Sequence, residues 1–135
     1  IQGICPQSPY LSKVEELRPR CDSFLTGAQN ISSEVKGAYT GEISTKSLID
    51  FSVKFTLVGH SERRQLFNES DSSMIKKISR AMEDGLGVVY CVGETLEQRE
   101  ANQVKQVLFE QLNNVLPAVK GLNQNLLCQK KYEYC

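Results

Sequence analysis

No run of about 18 apolar residues occurs in this 135-residue chain, so the sequence predicts no membrane-spanning helix. No sign of charge dominates either. The 16 basic and 16 acidic residues cancel and are interspersed, leaving no basic face or acidic tail to suggest nucleic acid or an anionic membrane. No C-x-x-C pair is present. The cysteines (Cys5, Cys21, Cys91, Cys128 and Cys135) are odd in number and widely spaced, which argues against a disulfide framework or a zinc site and suits a reducing, cytoplasmic compartment. The start, Ile1-Gln2-Gly3-Ile4-Cys5-Pro6, has neither an initiator Met nor a basic-then-apolar leader, as expected of a segment from the middle of a gene. Linkers, repeats and low-complexity stretches are absent, and the length suits one ordinary domain.

What the chain does contain is a steady alternation of short apolar runs and helical patterns. The runs predict strands over Ile1 to Cys5, Ser23 to Ala28, Val53 to Gly59, Gly87 to Gly93 and Asn125 to Cys128. Helices are predicted over Pro9 to Leu17, Ser44 to Phe51, Asp71 to Asp84 and Thr95 to Lys120. In the last, Val104, Val107, Leu108, Leu112, Val115 and Leu116 recur at three- and four-residue steps and form an apolar stripe. Thr95 with Gln98 fits a capping box, and Ser44 fits an N-cap with Ile43 and Leu48 as its hydrophobic staple. In the third helix Met74, Ile75, Ile78 and Met82 make the buried face, and Gly85 ends it. Strands and helices alternating through short connections predict parallel βαβ units, with strands buried on both faces. Periodicity alone does not choose between an open sheet and a closed barrel.

The single histidine, His60, follows the strand Val53 to Gly59, at the C-terminal mouth where parallel α/β sheets put their chemistry. It lies in Gly59-His60-Ser61-Glu62-Arg63-Arg64, which resembles the fourth-strand motif of triosephosphate isomerases. Three more motifs agree in order and separation: Gly27-Ala28-Gln29-Asn30, Gly37-Ala38-Tyr39-Thr40-Gly41-Glu42, and Cys91-Val92-Gly93-Glu94-Thr95-Leu96-Glu97. From Ile1 to about Asn125 the chain is similar to that family. The resemblance implies an α/β fold, a partial TIM (β/α)8 barrel covering the second to fifth βα units. Residues 1–128 would be the partial barrel domain and residues 129–135 a divergent C-terminal tail.

The resemblance also implies an activity: interconversion of dihydroxyacetone phosphate and glyceraldehyde 3-phosphate, in glycolysis and gluconeogenesis, with no cofactor and no metal. The resemblance implies a glutamate base, a neutral histidine and a closing loop. On this reading His60 is the electrophile that polarises the carbonyl and shuttles protons between the two oxygens. Ser61-Glu62-Arg63-Arg64 contains no breaker, so a helical turn starting after His60 would direct backbone amides at the ring and suit a neutral imidazole. Glu62 either supports a catalytic lysine, as in the family, or is an ordinary partner of the helix dipole. Ser61 either lies beside substrate or caps the helix. Arg63 and Arg64 read as scaffold ion pairs. Cys91 reads as a packing residue near the site, a poor nucleophile because nothing beside it lowers its pKa. The long stretch Asn30 to Glu42 matches a loop that enters a second subunit of a homodimer, which makes Tyr39, Thr40, Gly41 and Glu42 the interface candidates.

The chain departs from the family at both ends. The first strand, with its asparagine and lysine, has no counterpart. After Cys128 the sequence reads Gln129-Lys130-Lys131-Tyr132-Glu133-Tyr134-Cys135, where the family continues through Tyr-Glu-Pro-Val-Trp. An ungapped comparison puts Lys130 or Lys131 at the catalytic base position, so the base is missing and Glu133 is not expected to replace it. The rival reading is a catalytically inactive barrel fragment whose only activity is self-association or complementation.

Overall fold

Each short apolar run becomes a strand, and the strands pair in chain order. The computed structural model describes residues 2–18, 23–119 and 126–130, the last as backbone. The strands are β1 Gln2–Ile4, β2 Phe24–Ala28, β3 Phe55–Val58, β4 Gly87–Val92 and β5 Leu126–Lys130. They form one sheet ordered β1-β2-β3-β4-β5 with every neighbouring pair parallel. Gln2 lies opposite Phe24, Ala28 opposite Thr56, Val58 opposite Tyr90 and Val92 opposite Lys130. The order never reverses. An open doubly wound sheet turns back at a switch point, whereas a (β/α)8 barrel winds in one direction, so the topology is that of a partial barrel.

Between the strands run α1 Leu11–Leu17, α2 Thr45–Asp50, α3 Ser61–Leu66, α4 Asp71–Glu83, α5 Leu96–Glu100 and α6 Val104–Val119. A 3-10 turn, Ser8–Tyr10, leads into α1. The expected caps form. Ser44 accepts from Ser47 N at 3.1 Å, and Ile43 packs at the margin of the core that holds Leu48. Thr95 and Gln98 bond reciprocally at 2.9 and 3.3 Å, satisfying two backbone donors at the start of α5. Gly85, at φ +81°, ends α4 while Leu86 N returns to Ala81 O at 2.8 Å, a left-handed helix stop.

Three expectations need correction. The helix expected over Thr95 to Lys120 is two helices, because Asn102 turns left-handed (φ +57°) and its N–H bonds back to Arg99 O at 3.0 Å. Asn tolerates this conformation, so α5 closes there and α6 starts afresh at Val104. The α6 stripe is correspondingly narrower: Val107 and Val115 are buried, Leu108 is half-buried, and Leu112 and Leu116 are exposed. The last strand is shifted, running Leu126–Lys130 in register with Val88 to Val92. Ile1, Lys120, Asn125 and Glu133 lie outside the described residues.

Side chains alternate between the two faces of the sheet. Ala28, Val58, Val88, Tyr90 and Val92 face the helices and pack with Leu48, Met74, Ile78, Ala81 and Val115. Tyr90, Leu48, Met74 and Ile78 are each fully buried; burying a large apolar side chain contributes about 1.5–3 kcal/mol. Phe55 lies on the other face, its ring laid over neighbouring strands. A Cβ on Gly27 would fall 2.4 Å from the Phe55 ring and 2.8 Å from Cys5 Sγ, so the absence of a side chain there is what admits the ring.

Candidate active site

At the end of β3 the chain must leave the sheet and start a helix within two residues. Gly59 makes the turn with φ +78°, a conformation L side chains rarely adopt, and a Cβ there would meet Arg64, Met74 and Tyr90 at 2.8–3.0 Å. His60 follows with extended ψ (143°) and is the N-cap of α3. Its Nδ1 accepts from Glu62 N at 3.4 Å. The cap is therefore His60 and not Ser61, which is already the first helical residue. The imidazole takes the role because it alone precedes the first turn with an acceptor at capping distance. With Nδ1 acting as acceptor, the neutral ring carries its proton on Nε2, which is the donor. Glu62 stands in the first turn, and Arg63 and Arg64 in the last, the charge order a helix dipole favours.

His60, whose side chain is 19% exposed, lines a cavity of about 610 Å³ with Ser61, Arg64, Cys91, Glu94 and Gln111. Among the described residues, Glu94 is the one carboxylate lining it. Arg99 donates to Glu94 Oε1 from Nη2 at 2.7 Å and from Nε at 3.0 Å, an ion pair at the cavity edge. Glu62 is separate from the cavity lining: its side chain is 72% exposed, with Oε2 3.6 Å from His60 Nδ1. A contact in that much water stabilises little. Cys91 is half-buried and not in a disulfide, and its carbonyl accepts from Arg64 Nη2 at 3.2 Å. Burial, with the neighbouring Cys91 adding to it, pushes the Cys5 thiol up to about 11. Among the described residues no three His, Cys, Asp or Glu side chains converge to hold a metal, and no helix is long and apolar enough to cross a membrane.

The interface candidates lie apart from this cavity. Tyr39, Thr40, Gly41 and Glu42 are exposed at the tip of the loop after β2, where Glu42 N bonds Tyr39 O at 2.9 Å around Gly41 at φ +93°. The base of the loop is anchored by buried Ile31 and by Ser32 N on Ile43 O at 2.9 Å. Arg63 forms the expected ion pair, on Glu69 at 3.0 Å. Two features are not visible in hydropathy. Lys77, on the buried face of α4, pairs with Glu69 and bonds Asn30 Oδ1 at 2.7 Å. Gln111, in the middle of α6, bonds both backbone groups of Gly93 at 2.9 Å.

A singly wound parallel sheet with its polar residues gathered at the C-terminal strand ends defines a partial (β/α)8 barrel with a strand-end site. Comparison with known proteins then gives the family. The triosephosphate isomerase family model matches residues 2–128. The triosephosphate isomerase of Herminiimonas arsenicoxydans is 44% identical over 118 residues, 87% of this chain and 47% of that protein. That of Xanthomonas campestris pv. campestris (strain 8004) is 48% identical over 117 residues, 86% of this chain and 46% of that protein. That of Nitrosomonas eutropha is 42% identical over 121 residues, 90% of this chain and 47% of that protein. The chain belongs to the triosephosphate isomerase family, and it spans about half the length of the curated relatives it matches.

Proposed function

We propose that this chain carries the carbonyl-polarising part of a triosephosphate isomerase, acting on dihydroxyacetone phosphate and glyceraldehyde 3-phosphate. In this reaction a carboxylate removes a proton from the carbon beside the carbonyl, and an enediolate forms whose oxygens need donors where charge develops. His60 is the electrophile. The observation that carries this reading is its position as cap of α3: Nδ1 accepts from Glu62 N, so the ring offers Nε2–H without first gaining a proton. Ser61 and Cys91 line the same cavity and support the ring's surroundings. Glu62, in the first turn of α3, is read as the supporting partner of the family's catalytic lysine.

The reading extends to a homodimer through Tyr39, Thr40, Gly41 and Glu42, a role in glycolysis and gluconeogenesis, and a cytoplasmic setting. Residues 1–128 act as the barrel segment and 129–135 as a tail that supplies no catalytic base. Glu94 is assigned an ion pair with Arg99 and not the role of that base. The isolated chain is accordingly expected to show no measurable turnover, since one positioned base contributes about 10²–10⁴-fold. Association or complementation is then its activity when alone.

The test is a chimera in which residues 2–118 replace the matching segment of the Herminiimonas arsenicoxydans enzyme. The chimera should isomerise triose phosphate, and His60→Gln in it should lower kcat by about 10²–10³-fold with a smaller effect on KM, because the donor acts mainly on developing charge. Equal kcat with and without His60 would remove it from the mechanism.

A further inference from the structure

Arg64 makes its shortest bonds to two carbonyls and a hydroxyl. Its Nε donates to Gly59 O at 2.7 Å, and its Nη2 donates to Tyr90 OH at 2.9 Å and Cys91 O at 3.2 Å. Its ion pair is with Asp71, 3.6 Å from Nη1 and 48% exposed. At that distance and exposure the pair stabilises little. An ion-pair role, the expectation from sequence, therefore leaves the three shorter bonds unexplained. Their targets do explain them. Gly59 C=O belongs to the peptide unit whose nitrogen is His60 N, and Cys91 stands on the next strand beside the same cavity. One side chain thus ties the ends of β3 and β4 together at the peptide that leads into His60.

The tie continues outward. Tyr90 is fully buried, lies beneath the guanidinium at 5.5 Å, and donates from its hydroxyl to Gln111 O at 3.1 Å. The Gln111 amide in turn clasps Gly93 N and O at 2.9 Å each. Helix α6, strand β4, strand β3 and the cap of α3 are joined through consecutive hydrogen bonds with Arg64 at the branch. A planar fork of several donors is needed to reach two carbonyls and a hydroxyl at once, which an ammonium cannot reproduce.

We propose that Arg64 is a positioning residue: by holding the Gly59–His60 peptide and the Cys91 carbonyl, it fixes where the His60 ring stands and which nitrogen carries the proton. This rests on the reading of His60 as the electrophile for its functional consequence, but not for its structural content. Because His60 is the only histidine in the chain, its ring nitrogens can be observed without assignment ambiguity.

The experiment has two arms. In the ¹⁵N-labelled chain itself, two-bond ¹⁵N–¹H correlations read the His60 tautomer in the native protein, Arg64→Met, Arg64→Lys and Tyr90→Phe, with Arg80→Met as a distant control. Arg64→Met and Arg64→Lys should mix the tautomers or broaden the ring signals, Tyr90→Phe should do so more weakly, and Arg80→Met should leave them unchanged. In the chimera described above, Arg64→Met should lower kcat by about tenfold to hundredfold with KM nearly unchanged, the cost of a misplaced catalytic group. Tyr90→Phe keeps the buried ring, so it decides the matter if Arg64→Met does not fold. Unchanged ring signals in the folded Arg64 variants, or in Tyr90→Phe should those fail to fold, would overturn the proposal. So would full rescue by lysine. If His60→Gln leaves the chimera fully active, the electrophile reading falls, and the ring signals alone still decide whether Arg64 holds the imidazole.

Discussion

Replacing Lys77 with Met tests whether a buried ion cluster holds α4 against the mouth of β2. Lys77 is 6% exposed and shares its helix face with Met74, Ile78 and Ala81. It pairs with Glu69, whose other oxygen takes Arg63 Nε at 3.0 Å, and it bonds Asn30 Oδ1 at 2.7 Å. The Glu69 side chain is 4% exposed, so water does not replace a lost partner. Removing one member of a buried pair costs roughly 3–5 kcal/mol, because the other charge is left uncompensated. Arg63 remains on Glu69 and is itself 25% exposed, which sets the expectation at the lower end, about 3 kcal/mol. The Met side chain keeps most of the apolar stem packing, so the cavity contribution is small. A loss of this size is a large part of the roughly 5–15 kcal/mol of a native domain, and it lowers Tm by about 10 °C in a chain of this length. Urea and thermal unfolding followed by circular dichroism measure it. The loss should persist in about 1 M salt, since buried pairs are screened far less than exposed ones. Adding Glu69→Gln to Lys77→Met should recover part of the loss, because the stranded charge goes with it. A loss under about 1 kcal/mol, the range of surface pairs, would show that water reaches the cluster and that the reasoning fails.

Three further outcomes follow from single groups. Burial alone would raise the Asp84 carboxyl, but bonds from Thr45 and Arg80 and the charges of Arg80 and Lys46 outweigh it and hold it below the ordinary 3.8. A carboxylate held low stabilises the fold above its unfolded value and loses that contribution as pH falls through the folded one. Asp84→Asn should therefore cost about 1 kcal/mol at neutral pH and nothing in strong acid; a gap that ignores pH would refute this. Burial and the neighbouring Cys91 push Cys5 from 9.0 to about 11, so near pH 8 its alkylation should run about a hundredfold slower than in the unfolded chain. The stability gained by keeping this thiol protonated is complete below about pH 9 and is lost as pH rises through about 11; equal alkylation rates, mapped by mass spectrometry, would contradict it. Thr26 is fully buried and its Oγ1 has no hydrogen-bond partner among the described residues. Thr26→Val should raise stability by about 0.5–1 kcal/mol in urea unfolding, and a loss would mean that the hydroxyl is satisfied after all.

How far the fold was legible depends on which kind of interaction wrote it. Apolar periodicity located each strand within a residue or two and placed α4 to its last turn, since burial leaves a repeating mark in hydropathy. Caps were equally legible, because Ser44, Thr95 and Gly85 act on backbone within four residues of themselves. The break at Asn102 was not. Apolar spacing runs past it, and one residue in a left-handed conformation ends a helix without changing hydropathy. Lys77 was missed for the opposite reason: a helical-wheel reading assigns charge to solvent, while its partner Asn30 is 47 residues away in sequence.

The candidate site divides along the same line. His60 was located by its motif and its place after β3, but which atoms hold it depends on bonds to main-chain groups, and a carbonyl is the same whatever residue carries it. Arg64 reads from sequence as half of an ion pair, and it does lie 3.6 Å from Asp71; its shorter bonds include Gly59 O and Cys91 O, which carry no letter of their own. The cap moved from Ser61 to His60 for a related reason. The capping preference of serine is a population tendency, whereas the ring wins here because Gly59 turns the chain one residue earlier. A site built from main-chain acceptors is thus invisible to side-chain pattern while remaining strictly determined by it, through the glycine that permits the turn and the arginine long enough to reach back across it.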